Sequence, residues 1–299
     1  MPEFSAINTN SAFDLDNQPA YENWRDQKLE NYPQTAEQLI VEINNPLQLT
    51  KAERAQIIKH CRKTNMTVYA TKQGDKADKY IALRLTEQFG LRFLDKNSEA
   101  DADGITSLQV SQSEGRQRYI PYSNKLIHWH TDGYYNKKDE QIHALCLHCV
   151  RPAKEGGDNA LMDHEIAYIR LRDENPEYIA ALMSPKAMTI PANINNGVML
   201  RPDRAGPVFS VDSKGKLHMR YTARARHVIW HPDLATLNAV AALEKLLSSA
   251  DEPYSYRLNL QSGWGLISNN VLHDRSGFVD DENAPRLLYR LRYYKGLRL

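Results

Sequence analysis

The sequence predicts an α+β fold, a β core flanked by helices, from two features of its patterning. From about Ile105 the chain runs in short alternating segments broken by turns: "GITSLQV", "RQRYIPY", "KLIHWHT", "QIHALCLHCV" and "DNALMD". Such spacing marks a sandwich or barrel. On either side stand runs with helical apolar periodicity, such as "LTKAERAQIIKHCRKTN" and "HPDLATLNAVAALEKLLSSA". With 299 residues, 41% of them apolar, the chain is long enough to bury a core without covalent staples.

Residues 1–34 are polar with scattered aromatics (Phe13, Tyr21, Trp24, Tyr32) and no periodic apolar face. They read as an N-terminal arm, partly disordered or wrapped on the body. Residues 35–299 read as one domain without a linker. Helical patterning is expected at "TAEQLIVEI", then in a helix capped by Thr50 with Glu53 three residues on. A short strand, "MTVYA", follows, then a helix through "KADKYIALRLTEQFG" closed by Gly90. After the β-rich middle come "HEIAYIRLRDENP", a helix, and the long amphipathic run started by Pro232. Three strand-like pieces end the chain: "YSYRLNL", "GWGLISNNVLH" and "RLLYRLRYY".

Thirty-eight Lys and Arg balance thirty-seven Asp and Glu, which argues against general nucleic-acid or membrane-surface binding. The three cysteines, Cys61, Cys146 and Cys149, are too few and too odd in number for a disulfide framework and fit a reducing compartment. The N-terminus has neither a basic n-region nor an apolar h-region, and no run is long enough to span a bilayer. A cytoplasmic protein is the expectation.

The chemistry concentrates in "IHWHTDGYYN". His128, His130 and Asp132 are two residues apart, so on an extended strand all three point the same way. They could be metal ligands, or a hydrogen-bonded polar pair at a strand end with a neighbouring histidine. A later histidine, His273 in "SGWGLISNNVLHDRSGF", would complete a set of two histidines and one carboxylate, an arrangement that suits non-haem Fe(II) because one coordination face stays open. Beyond it, "PRLLYRLRYY" places Arg286, Leu288, Arg290 and Arg292 on one strand face. Arginine in a β core is costly unless it meets an anion, and a small carboxylate is its natural bidentate partner.

Together these motifs resemble the taurine dioxygenase-like branch of the Fe(II)/2-oxoglutarate-dependent oxygenases. "WHTDGYY", "RPAKEGGDNALMD", "NNVLHDRSGF" and "RLLYR" fall in that family's order, and the resemblance covers about residues 40–295. It implies a double-stranded β-helix (jelly-roll) core flanked by helices. It implies His130, Asp132 and His273 as iron ligands, with His128 demoted to a neighbour. Arg286 would hold the distal carboxylate of 2-oxoglutarate, and Arg290 would meet an anionic substrate or support the co-substrate. Asn159 stands where the family commonly has a threonine that contacts the co-substrate. The cofactor set implied is Fe(II), with 2-oxoglutarate and O2 as co-substrates. Asp132 points away from halogenating relatives, which have a small residue there. The substrate expected is a small, anionic metabolite, and relatives often assemble as dimers or tetramers.

Other candidates have plainer readings. "CLHC" (Cys146 to Cys149) has the gap of a zinc half-site but no second pair, so core cysteines are expected. His143 and His148 read as structural or surface residues, His164 as structural, and Gly156-Gly157 as a turn. Arg220, Arg224 and Arg226 form a solvated face or touch substrate. Tyr134 and Tyr135 are expected on a loop beside the metal motif. Two functions of other classes compete: a zinc hydrolase using the same three ligands, and a non-catalytic β-sandwich that binds a small anion.

Overall fold

The computed structural model describes residues 11–73, 78–95, 101–111, 116 and 119–299. In chain order the helices are α1 (Gln18–Leu29), α2 (Lys51–Thr64), α3 (Lys79–Glu87), α4 (His164–Glu174), α5 (Pro176–Leu182) and α6 (Leu234–Ser248). The chain divides into two compact units: described residues 11–32 with 163–252, and residues 33–162 with 253–299.

The second unit is built on two sheets. Their strands are β1 (Ile40–Ile43), β2 (Met66–Thr71), β3 (Thr106–Leu108), β4 (Ile127–His130), β5 (Ala144–Arg151), β6 (Asn159–Met162), β7 (Ser255–Leu258), β8 (Trp264–Ser268), β9 (Leu272–Arg275) and β10 (Leu287–Tyr293). One sheet has the order β1-β2-β8-β5-β10-β3 and the other β7-β6-β9-β4. Only the β1–β2 pairing within them is parallel. Leu147 and Leu266 of the larger sheet face Leu161 and Leu258 of the smaller across a narrow gap. The outer face of the larger sheet meets α2 and α3 through Ile57, Cys61, Ala82, Leu85, Tyr69, Cys146, Ile267 and Leu291. Covered on both faces, β5 has every residue from Ala144 to Val150 buried, so this segment, expected to alternate, does not.

Local chemistry explains the element ends. Thr50 accepts from the Glu53 backbone and Glu53 reaches back to the Thr50 N–H, the expected capping box of α2. Gly90, at φ +78, turns the chain after α3. The start of α6 differs from expectation: Asp233, not Pro232, caps it, accepting from Thr236. "TAEQLIVEI" is not a helix. Only Ala36–Leu39 makes a 3₁₀ turn, and the β-branched Ile40, Val41 and Ile43 then form β1 against β2. "RYIPY" is likewise not a strand where described, because Pro121 sits in a 3₁₀ turn at Ile120–Tyr122.

The first unit contains α1, from the segment expected to be an arm. Its sequence lacks a broad apolar stripe, but polar side chains anchor it. The Tyr21 hydroxyl donates to Asp173 at 2.7 Å, and the Arg172 guanidinium lies 3.9 Å from the Tyr21 ring centre. Lys28 is buried between Asp163 (2.7 Å) and Glu165. Phe13, Trp24 and Tyr168 meet edge to face. The expected disorder of residues 1–10 falls outside the described residues. α4, α5 and α6 pack together in this unit, with short strands at Met188–Ile190, Arg204–Gly206 and Ile229–Trp230 forming one small sheet.

Gly265 in β8 marks the closest approach in the second unit. A Cβ there would lie 2.3 Å from the Leu147 carbonyl oxygen and 2.3 Å from the Tyr69 ring, whose hydroxyl is fixed 2.9 Å from His148 Nδ1. Gly265→Ala is therefore expected to destabilise the protein by about 3 kcal/mol through overpacking, read as a lower denaturant midpoint. An unchanged midpoint would show that the sheet yields at this point.

Candidate metal centre

β4 and β9 are antiparallel neighbours, and their register sets His130 directly opposite His273. The two imidazole centroids are 4.2 Å apart. The chain turns sharply after His130, with Gly133 at φ +68, and Asp132 comes back beside them. One ligand atom from each of His130, Asp132 and His273 lies within 4.8 Å of the other two, the one such cluster among the described residues.

Each imidazole is fixed from behind. His130 Nδ1 meets the His128 carbonyl at 2.9 Å, and His273 Nδ1 meets the Val271 carbonyl at 2.9 Å. A carbonyl can only accept, so Nδ1 carries the proton and Nε2 keeps its lone pair for a ligand. Burial, and after it the neighbouring His273, push His130 down to about 3, so it is neutral at pH 7. Burial alone would raise Asp132, but the positive charges of Arg290 and Arg292 hold its carboxyl below the usual range. Asp132 Oδ1 accepts from Arg290 Nη1 at 3.2 Å. Its Oδ2 is buried with no hydrogen-bond partner among the described residues. A buried carboxylate oxygen without a donor is costly. Two neutral Nε2 atoms beside it make the set a fit for a divalent first-row metal.

The loop bearing Asp132 is pinned by Asn270, which a sequence reading takes only for part of a turn. Its Oδ1 accepts from the Asp132 N–H at 2.8 Å, and its Nδ2 donates to the carbonyls of Asp132 (2.9 Å) and Ile142 (2.8 Å). Asn270 also adopts φ 53, a left-handed conformation that asparagine tolerates better than most residues. Its position three residues before His273 was the available signal. Arg292 braces the same loop, donating to Tyr135 OH at 2.8 Å and pairing with Asp95, which also accepts from Tyr294 OH at 2.6 Å. Burial works against the Arg292 charge, but Tyr135, Asp132 and Asp95 outweigh it.

The remaining candidates are placed as follows. The His128 side chain is exposed, and what it gives the centre is its carbonyl. Arg290 bonds Asp132 directly. A register irregularity between Leu287 and Leu288 interrupts the expected alternation of the arginines. Arg286 is 4% exposed, and its guanidinium sits 5.1 Å from the Phe278 ring centre and makes no hydrogen bond or ion pair among the described residues. Burial presses its charge down, with Cys149 and Asp280 partly opposing. Gly157, at φ +76, leaves room beside it: a Cβ there would be 3.4 Å from Arg286 Nε. Asn159 is buried and donates from Nδ2 to the Asp274 carbonyl at 2.7 Å. Cys146 and Cys149 are buried free thiols in β5. His148 is buried against Tyr69, and His164 Nε2 meets the Leu217 carbonyl at 3.2 Å.

With this geometry in place, similarity to known proteins is informative. The family model described as "Taurine catabolism dioxygenase TauD, TfdA family" matches residues 28–292. A uridine-5'-phosphate dioxygenase from Amycolatopsis sp is 32% identical over 174 residues, covering 57% of this chain and 62% of that protein. One from Streptomyces sp is 31% identical over 199 residues, covering 64% of this chain and 69% of that protein. Among solved structures, the non-haem iron oxygenase OrfP in complex with Fe and alpha-ketoglutaric acid aligns with a TM-score of 0.60 at 17% identity, over 83% of this chain and 81% of that one. An asparagine oxygenase in complex with Fe(II), a hydroxyasparagine and succinate aligns with a TM-score of 0.59 at 13% identity, over 84% and 80%. At these identities the structural likeness establishes the fold, the jelly roll expected from the sequence. No described helix is long and apolar enough to cross a membrane.

Replacing Asn270 by alanine removes three buried hydrogen bonds and strains the backbone. It is expected to cost about 3 kcal/mol of stability and to weaken Fe(II) binding about tenfold, measured by denaturant unfolding and anaerobic Fe(II) titration. Wild-type Fe(II) affinity in this variant would show that Asn270 does not position Asp132.

Proposed function

The chain belongs to the TauD, TfdA family of Fe(II)- and 2-oxoglutarate-dependent dioxygenases, and from that membership we propose that it hydroxylates a small anionic metabolite at an iron held by His130, Asp132 and His273. The observation that carries the ligand assignment is the buried, partnerless Asp132 Oδ2 beside two imidazoles whose Nδ1 atoms are already committed. The iron, when bound, supplies the redox chemistry that couples oxidative decarboxylation of 2-oxoglutarate to hydroxylation of a substrate C–H bond.

The protein's own residues supply position and charge. Three ligands on one side leave the opposite face for co-substrates. Arg286, buried and with no ion pair among the described residues, is suited to hold the far carboxylate of 2-oxoglutarate. Arg290 keeps Asp132 ionised and oriented, and Arg292 keeps Tyr135 and the loop after the metal motif in place. Asn159 has one amide N–H left after its bond to Asp274 and could serve the co-substrate secondarily. The two curated relatives named for uridine-5'-phosphate support a phosphorylated, nucleotide-like substrate. This chain spans 62% and 69% of their lengths. The family match favours this reading over a zinc hydrolase built on the same three ligands.

Adding Fe(II) and 2-oxoglutarate anaerobically to wild-type protein is expected to give a weak visible charge-transfer band, lost in His273→Ala. If no band forms, or if His273→Ala keeps it, the reading is wrong. In steady-state succinate release, Arg286→Ala is expected to raise the 2-oxoglutarate KM about tenfold or more, as loss of a charged hydrogen bond worth about 1.5–3 kcal/mol implies. Arg290→Ala should affect that KM less. Equal effects would contradict the Arg286 assignment.

A further inference from the structure

Arg286 shares the Phe278 ring with a second buried arginine. Arg275, at the end of β9, brings its guanidinium carbon to 4.8 Å from that ring centre, against 5.1 Å for Arg286. Both arginines are 4% exposed. Burial, and after it the Arg286 charge, disfavour the charge on Arg275.

The strand that delivers Arg275 also carries a metal ligand. Arg275 stands two residues after His273, and side chains two apart on a strand share a face. The irregularity in the β4–β9 pairing leaves this intact, because the extra residue is on β4. His273 pairs with His130 and Arg275 with Ile127, so His128 and Trp129 together stand against Asp274. Asp274 takes the opposite face, its carboxylate accepting from the Ala160 N–H at 2.7 Å and from Arg257 at 3.3 Å. At about 3.4 Å per residue, Arg275 begins about 7 Å along the strand from His273, a span comparable with the carbon chain of 2-oxoglutarate.

The bonds of Arg275 account for only part of its guanidinium. Nη2 donates to the Ser123 carbonyl at 2.7 Å and to the Lys125 carbonyl at 2.5 Å, which aims the fork. Nε is buried with no hydrogen-bond partner among the described residues. Carbonyls bring no full negative charge, and among the described residues no carboxylate pairs with Arg275 or with the Arg286 guanidinium. Asp280 Oδ1 accepts from the backbone N–H groups of Asp281 and Arg286 instead. Two buried cations at one ring are costly without an anion, and attraction to the ring face offsets only part of that. A strut that merely held the 123–125 loop would not need a second cation beside it. A carboxylate has two oxygens and lone pairs enough to accept from both forks. Gly157 keeps the flank of this pair open: a Cβ there would stand 3.4 Å from Arg286 Nε and 3.6 Å from Phe278 Cβ.

We propose that Arg275 binds the distal carboxylate of 2-oxoglutarate together with Arg286, so that two guanidiniums select the co-substrate as a dianion. The proposal rests on the oxygenase reading above. Anaerobic titration of the Fe(II)-loaded full chain, followed by the charge-transfer band, gives the Kd of 2-oxoglutarate and of 2-oxovalerate, which has the same chain length but no distal carboxylate. Arg275→Gln keeps a donor for the 123–125 loop and removes the charge. It is expected to raise the 2-oxoglutarate Kd about tenfold or more and to leave the 2-oxovalerate Kd unchanged. Arg275→Lys, which restores the charge, should recover part of the loss. A 2-oxoglutarate Kd unchanged in Arg275→Gln, or raised no more than that of 2-oxovalerate, overturns the proposal, while the wild-type band shows that the oxygenase reading itself stands. No band in wild type overturns both. An anaerobic crystal structure of wild type with Fe(II) and 2-oxoglutarate tests the proposal even where the variants do not fold. Hydrogen bonds from both Arg275 and Arg286 to the distal carboxylate are expected, and a carboxylate held by Arg286 alone overturns it.

Discussion

The register between β4 and β9 is the constraint on which the proposed metal centre rests. Side chains on a strand alternate faces, so a slip of one residue would turn His130 or His273 away and leave Trp129 or Leu272 in its place. Several independent interactions protect that register. β9 is held on its other side by β6 through Leu161 and Met162. Asn270 ties the turn before β9 to the loop after β4 with three hydrogen bonds. The Asp274 side chain accepts from the Ala160 N–H at 2.7 Å, fixing β9 again one residue past its histidine. The result is a preorganised ligand set whose donor atoms have little freedom to lose when an ion binds.

Charge is handled by the same economy of placement. Asp132 is kept ionised in a buried setting by Arg290 and Arg292, and Arg292 is in turn supported by Asp95. Arg286 and Arg275 differ from these, both buried against the Phe278 ring with no carboxylate paired to them among the described residues, although Arg275 also donates to the carbonyls of Ser123 and Lys125. Arg290 and Arg292 each meet a carboxylate, whereas Arg286 makes no such ion pair among the described residues, which suits it to bind a carboxylated co-substrate.

Much of this was legible in the sequence because it depends on short-range pattern. His-x-Asp, the later histidine and the arginines beyond it are short spacings, although β4 ends at His130 and the turn after it, not strand alternation, returns Asp132 to its side. The capping box of α2 is local as well. What was not legible depends on partners distant in the chain. "TAEQLIVEI" has helical apolar spacing, yet β2 recruits Ile40–Ile43 as a parallel strand. The N-terminal segment reads from sequence as an arm, partly disordered or wrapped on the body, because α1 is held by polar contacts from Asp163, Glu165, Arg172 and Asp173 rather than by an apolar stripe. Asn270 looked like turn punctuation because its three partners lie 128 to 138 residues away. The irregularity at Leu287–Leu288 broke an alternation that sequence alone could only assume.

The central claim is that one metal ion sits between β4 and β9 on three named side chains. An anaerobic crystal structure with Fe(II), using anomalous scattering at the iron edge, tests it most directly. The account predicts a single anomalous peak bound by Nε2 of His130, Nε2 of His273 and a carboxylate oxygen of Asp132, with His128 turned away. A peak elsewhere, or one that takes His128 in place of His130 or His273, would contradict it.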